Sequence, residues 1–138
     1  MTGIVVDASV ALAWCFPDEA SEYADGVLVA LEGRTAIVPA IWALEIANGL
    51  LVGERRKRVR QPDVRRFVEL LRGLRVTEHS QTVPDTVGNV LPLARDYGLS
   101  AYDAAYLDVA VRQGAPLATL DNALREAGRS VGITIFKV

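Results

Sequence analysis

The chain has 138 residues, 51% hydrophobic and 23% charged, with a net charge of −2; that length fits one domain (1–138), and that composition excludes a disordered or fibrous chain. No apolar run reaches the ~20 residues that span a bilayer, and Met1 to Asp7 lacks the blocks of a secretory leader, so a cytoplasmic protein is expected. The lone Cys15 excludes an intrachain disulfide, and the lone His79 excludes both a two-histidine acid–base mechanism and a zinc site rich in His and Cys.

Gly3-Ile-Val-Val-Asp7 is a short apolar run, the pattern of a buried strand. Asp7-Ala-Ser9 opens a helical stretch through Cys15, which Pro17 ends. Asp18 to Leu31 reads as a second helix with Ala20, Tyr23, Ala24, Val27, Leu28 and Leu31 on one stripe, closed by Gly33. Thr35 to Val38 is a second strand, stopped by Pro39. A helix over Ala40 to Val52 is apolar nearly all round, apart from Glu45 and Asn48. A basic segment follows, and Pro62 starts a helix to Leu74. Arg75-Val-Thr77 is a weak strand, and His79 in the polar stretch Thr77 to Gln81 reads as a solvated loop residue. One helix runs from Thr82 to Tyr97 and is capped by Gly98; another begins at Ser100 and ends at Gly114. Ala115 to Thr119 is a strand, Asp121 to Ala127 a short helix, and Gly132 to Phe136 a last strand. Strands alternating with helices predict a mostly parallel sheet covered on both faces.

Four acids stand out by position. In open α/β sheets, ligands bind beyond the carboxyl ends of the strands. Asp7 ends the first strand, Asp121 follows the fourth, and Asp103 lies in the first turn of the helix before it. Glu45 lies mid-helix in Trp42-Ala-Leu-Glu-Ile-Ala-Asn48. Three of the acids have a plain structural role to hand. Asp7 and Asp121 fit as helix caps, and Ser100-Ala-Tyr-Asp103 matches a capping box. Glu45 has no such role; a carboxylate amid apolar neighbours costs free energy unless it is paired, metal-bound or turned to solvent. If Asp7, Asp103 and Asp121 meet at one sheet edge, their charges repel. No Arg or Lys in these motifs neutralises them, and a divalent cation would. All-oxygen ligands select hard ions such as Mg²⁺ or Mn²⁺, which activate water at a phosphate. Asp85, Asp96 and Asp108 are assigned to structure or solvent.

Val5-Val-Asp7-Ala-Ser9, Ala43-Leu-Glu45-Ile-Ala-Asn48, Ala101-Tyr-Asp103-Ala-Ala-Tyr-Leu107 and Ala118-Thr-Leu-Asp121-Asn-Ala-Leu124 together resemble the PIN-domain family, and within it the VapC-type toxins of toxin–antitoxin pairs. The likeness runs from the first strand to the last. It implies a three-layer α/β/α sandwich and Mg²⁺- or Mn²⁺-dependent endoribonuclease activity. It also implies a cognate antitoxin that blocks the site, and a homodimer. By position, Asp7, Glu45, Asp103 and Asp121 fall on the family's acidic positions. Ser9 and Thr119 fall on its hydroxyl positions near the site.

The expected chemistry is hydrolysis of an RNA phosphodiester by a metal-activated water. Asp7, Asp103 and Asp121 would hold the metal, and Glu45 would complete its shell or position the water. Seven basic residues (Arg55, Arg56, Lys57, Arg58, Arg60, Arg65 and Arg66) surround Asp63, so this segment carries +6 and the remainder −8. The segment is either an RNA-backbone contact through Arg55, Arg56 and Arg58, or a solvated helix end. Two rival functions share parts of this pattern. A phosphatase of the haloacid-dehalogenase type needs a second Asp where Ser9 stands, and a non-catalytic binding module needs none of the acids. Trp14, Phe16 and Trp42 are read either as antitoxin contacts or as core.

Overall fold

The structure, a computed structural model, describes residues 3–138; Met1 and Thr2, the start of the stretch searched for a leader, lie outside it. Strands β1 (Gly3–Val6), β2 (Thr35–Pro39), β3 (Val76–His79) and β4 (Leu117–Ala118) form one sheet in the order β3-β2-β1-β4. Every pairing is parallel. The helices are α1 (Ala8–Ala13), α2 (Glu22–Ala30), α3 (Trp42–Arg55), α4 (Gln61–Arg72), α5 (Val83–Tyr97), α6 (Ala101–Gln113) and α7 (Asn122–Val131).

β1 explains the layering. Ile4, Val5 and Val6 are all fully buried, yet successive side chains of a strand point to opposite faces. Val5 belongs to the larger core with Trp42 and Ile46 of α3, Phe67 of α4, and Tyr106 and Leu107 of α6. Ile4 and Val6 belong to the smaller core with Val10 of α1 and Ala24 and Val27 of α2. Helices therefore cover both faces, and the result is an α/β/α sandwich with a wholly parallel sheet. No helix among the described residues is long and apolar enough to cross a membrane.

Several boundaries differ from the sequence reading. The second helix starts at Glu22 rather than Asp18, because Ser21 Oγ accepts from Ala24 N at 3.2 Å and caps it there. Pro17–Glu19 is a separate 3₁₀ turn. Helix α3 runs into the basic segment as far as Arg55. Pro39 is inside β2, opposite His79. His79 is consequently the last residue of β3 and half-buried, not a solvated loop residue. Its Nε2 accepts from Arg112 Nη1 at 2.6 Å, and Arg112 is itself paired with buried Asp108. The last predicted strand contributes one parallel bridge, Leu117 to Ile135, while α7 extends to Val131. Gly132, at φ 93°, adopts the left-handed conformation that ends α7.

Candidate active site

β1 and β4 run side by side, and Asp7 N donates to Ala118 O at 3.0 Å. That pairing brings together the residues that follow the two strands. Asp7 is 6% exposed and occupies the N-cap position of α1, yet its side chain makes no cap. Its Oδ2 accepts instead from Ser9 Oγ at 2.7 Å and from Thr119 Oγ1 at 2.8 Å. Thr119 Oγ1 also accepts from Asp121 N at 3.0 Å, and Ser9 Oγ accepts from Leu120 N at 3.2 Å. Two hydroxyls thus tie the exit of β1 to the exit of β4, and both were picked out in the sequence.

The other acids arrive from separate elements. Asp121 Oδ1 accepts from Leu124 N at 3.1 Å, so it caps α7 while lying beside Asp7. The cap of α6 is Ser100 Oγ, which accepts from Asp103 N at 3.1 Å. The Ser100 hydroxyl also bears on the Asp103 carboxyl group, partly offsetting the effect of its burial. Of the three cap readings, then, only that of Asp121 holds for the carboxylate itself. Glu45 sits in the first turn of α3, half-buried, where the Tyr106 phenol donates to its Oε1. The sequence reading passed over Tyr106, although its spacing from Asp103 puts both on one face of α6.

The four acids lie within electrostatic range of one another. Burial is the main cause that raises Asp7, Glu45 and Asp103 above the ordinary carboxylate range. Repulsion adds to it: Asp7 feels Asp103 and Asp121, Glu45 feels Asp7 and Asp103, and Asp103 feels Asp121. Each acid therefore interacts with at least two others. The hydrogen bonds from Ser9 and Thr119 partly offset the burial of Asp7. None of the four acids is in an ion pair among the described residues.

A divalent cation fits this donor set. Among the described residues, no group of three or more His, Cys, Asp or Glu side chains is placed to hold a metal ion. Mg²⁺ does not need one, because it keeps several waters and is bound through one or two carboxylates. The donors are all oxygens, and the excess negative charge is the unmet electrostatic demand.

Other sequence candidates have different roles. Arg58 donates to Asp18 Oδ2 at 2.9 Å, pairs with Glu19, and lies 4.6 Å over the Phe16 ring. It clamps the 3₁₀ turn, and those acids hold its guanidinium well above the usual range. Arg55 and Arg56 are exposed. Phe16 and Trp42 are 3% and 6% exposed and fill the core, while Trp14 Nε1 donates to Ala24 O at 2.8 Å. Asp108, buried and bound to Arg112 and Gln81, is structural, as assigned from the sequence.

Comparison with known proteins gives the family. The PIN-domain family model matches residues 4–130. Ribonuclease VapC3 of Pyrobaculum aerophilum is 34% identical over 128 residues, covering 89% of this chain and 92% of that protein. The crystal structure of PAE2754 from Pyrobaculum aerophilum superposes with a TM-score of 0.71 at 25% identity, over 97% of this chain and 83% of that one. VapBC2 from Rickettsia felis bound to a promoter DNA fragment gives 0.69 at 13% identity over 98% of each chain. FitAcB from Neisseria gonorrhoeae gives 0.65 at 18% identity over 97% and 96%. The low identity of the last two speaks for the fold alone. With a family model spanning β1 to α7 and a relative above 30% identity over most of both chains, this chain belongs to the PIN-domain family, on its VapC-type branch.

Proposed function

We propose that this chain is an endoribonuclease that hydrolyses RNA phosphodiester bonds with Mg²⁺ or Mn²⁺, and that it is the toxin of a toxin–antitoxin pair. The observation that carries the reading is that four carboxylates, none of them ion-paired, feel one another's charge beside the carboxyl ends of the parallel strands β1 and β4. Kinship with a protein named as a ribonuclease supports the choice of substrate.

Asp7, Asp103 and Asp121 would hold the metal. When bound, it supplies a water of lowered pKa and neutralises charge building on the phosphate. The protein does the positioning. Ser9 and Thr119 fix the Asp7 carboxylate by two hydrogen bonds to one oxygen, leaving the other oxygen for the cation. Asp121 is fixed through its cap on α7. Tyr106 holds Glu45 by one oxygen, so the second can accept a proton from the attacking water. Water is the nucleophile and the ribose 2′-OH is a bystander, so the products carry 5′-phosphate and 3′-OH ends.

The cognate antitoxin blocks this site in the complex. The homodimer uses the apolar face beside it, where Leu44, Val83, Val87 and Tyr102 are 68%, 77%, 51% and 61% exposed. Some of these residues line a groove of about 490 Å³ between α3, α5 and α6. Sedimentation should give twice the 14.9 kDa chain mass, and Val87→Glu should leave a monomer.

The test of the activity is sequencing of RNA 5′ ends after incubation with the purified chain. Cleavage should require Mg²⁺ or Mn²⁺, disappear with EDTA, and fall at least 100-fold in Asp7→Asn. Equal cleavage by Asp7→Asn, or 2′,3′-cyclic phosphate ends, would refute the mechanism.

A further inference from the structure

The RNA contact expected at Arg55, Arg56 and Arg58 stands far from the acids. Glu45 and Arg55 lie near opposite ends of α3, about 15 Å apart along the axis at ~1.5 Å per residue. Two of the seven basic residues there, Arg58 and Arg66, are also already answered by acids. Arg58 is held by Asp18 and Glu19, and Arg66 by Asp63.

A second group of cations begins beside Thr119, on the β4 side. Arg125 follows Asp121 by one turn of α7. Its Nη2 donates to Thr119 O at 2.7 Å and its Nη1 to Asn122 Oδ1 at 2.9 Å. The Tyr23 ring centre is 5.9 Å from its guanidinium carbon. These contacts fix the side chain without a carboxylate, so its positive charge is positioned but not cancelled. Thr119, whose carbonyl it holds, is the residue whose hydroxyl holds Asp7.

From Arg125 a cleft of about 700 Å³ opens between α7 and the last residues, lined by Tyr23, Arg125, Arg129, Phe136 and Lys137 among others. No Asp or Glu side chain lines it. Arg129 has one partner, Glu126, in an exposed pair one turn away, the kind of pair that exchanges readily. Lys137 is in no ion pair among the described residues.

We propose that this cationic cleft carries the phosphate backbone of RNA flanking the scissile bond, with Arg125 nearest the acids and Arg129 and Lys137 further out. The inference rests on the ribonuclease reading of the acid cluster. The need for it is electrostatic. Four acids repel a polyanion, and a substrate must be held by cations near them while its scissile phosphate approaches. Fixed guanidinium groups suit phosphate because their donors are already aligned. Contacts of this kind give affinity without choosing bases.

The test is binding of a fluorescent single-stranded RNA to the full chain carrying Asp7→Asn, followed against salt concentration. Adding Arg125→Gln, Arg129→Gln and Lys137→Gln should make the slope of log affinity against log salt shallower by about two, since each lost phosphate contact on a single strand removes ~0.7. Arg129→Gln with Lys137→Gln alone alters only outer side chains and should remove about one, which covers a triple variant that fails to fold. An unchanged slope in a folded variant, while the wild type cleaves RNA, overturns the cleft and leaves the ribonuclease reading standing. A variant that loses antitoxin but keeps the RNA slope also overturns it. A wild type that neither binds nor cuts RNA removes both readings.

Discussion

At the residue scale, the site rests on hydroxyl groups that hold carboxylates. Ser9 and Thr119 each donate to Asp7, and Tyr106 donates to Glu45. Tyr106 is fully buried, and burial followed by its bond to Glu45 raises its phenol far above the ordinary range, so it stays a donor at any working pH. Tyr106→Phe keeps the ring in the core and deletes that donor. It should lower kcat by ~10- to 100-fold with KM little changed, at a stability cost of about 1 kcal/mol. Steady-state kinetics beside a melting curve check this; a loss confined to stability would make Tyr106 a core residue only.

At the element scale, α3 must lie close to the segment that follows α1. A Cβ on Gly53 would sit 2.6 Å from the Phe16 ring and 3.3 Å from Val59, and an aromatic ring packed under Arg58 has little room to yield. Gly53→Ala should therefore destabilise by ~1–3 kcal/mol despite its better helix propensity. Gly88 in α5 meets nothing within 4 Å. There Gly88→Ala should stabilise by ~0.5–1 kcal/mol. Denaturant unfolding of the two variants gives the comparison, and equal shifts would contradict this packing.

At the scale of the whole molecule, the buried acids bear on stability. Asp7, Glu45 and Asp103 all have raised pKa values in the fold, with burial as the leading cause. An acid raised in the folded state favours folding in its protonated form. Its contribution is complete below the ordinary carboxylate range and is lost as pH rises through that range towards the folded value. Metal-free protein should lose stability from these acids over that window, and Mg²⁺ should restore it. The rise in Tm on adding Mg²⁺ should grow with pH, and EDTA should reverse it. Asp7→Asn keeps an oxygen that accepts from Ser9 and Thr119 but removes the charge. It should melt higher than the wild type without metal, and gain less from Mg²⁺. Thermal melts across pH, with and without metal, check both points, and a Tm gain independent of pH would argue against carboxylate ligation.

Much of this protein was determined along the chain. The apolar run of β1, the hydroxyl caps at Thr82 and Ser100, and the glycines at 98 and 114 set local structure by short-range sterics and hydrogen bonding, and these elements stand where the sequence puts them. The family motifs likewise identified the four acids. Boundaries were less legible where a distant partner sets them. His79 joins β3 because β2 lies beside it, and the final strand dwindles because only Leu117 meets Ile135. The site was legible in its residue types and not in their surroundings. Only the tertiary structure decided that Asp7 is held by hydroxyls instead of capping α1, and that Tyr106 donates to Glu45. It also decided that Arg58 serves a turn while Arg125 stands beside the acids. The reason is physical: capping and strand propensity act over a few residues, whereas burial, repulsion and ion pairing depend on which elements the packed sheet brings face to face.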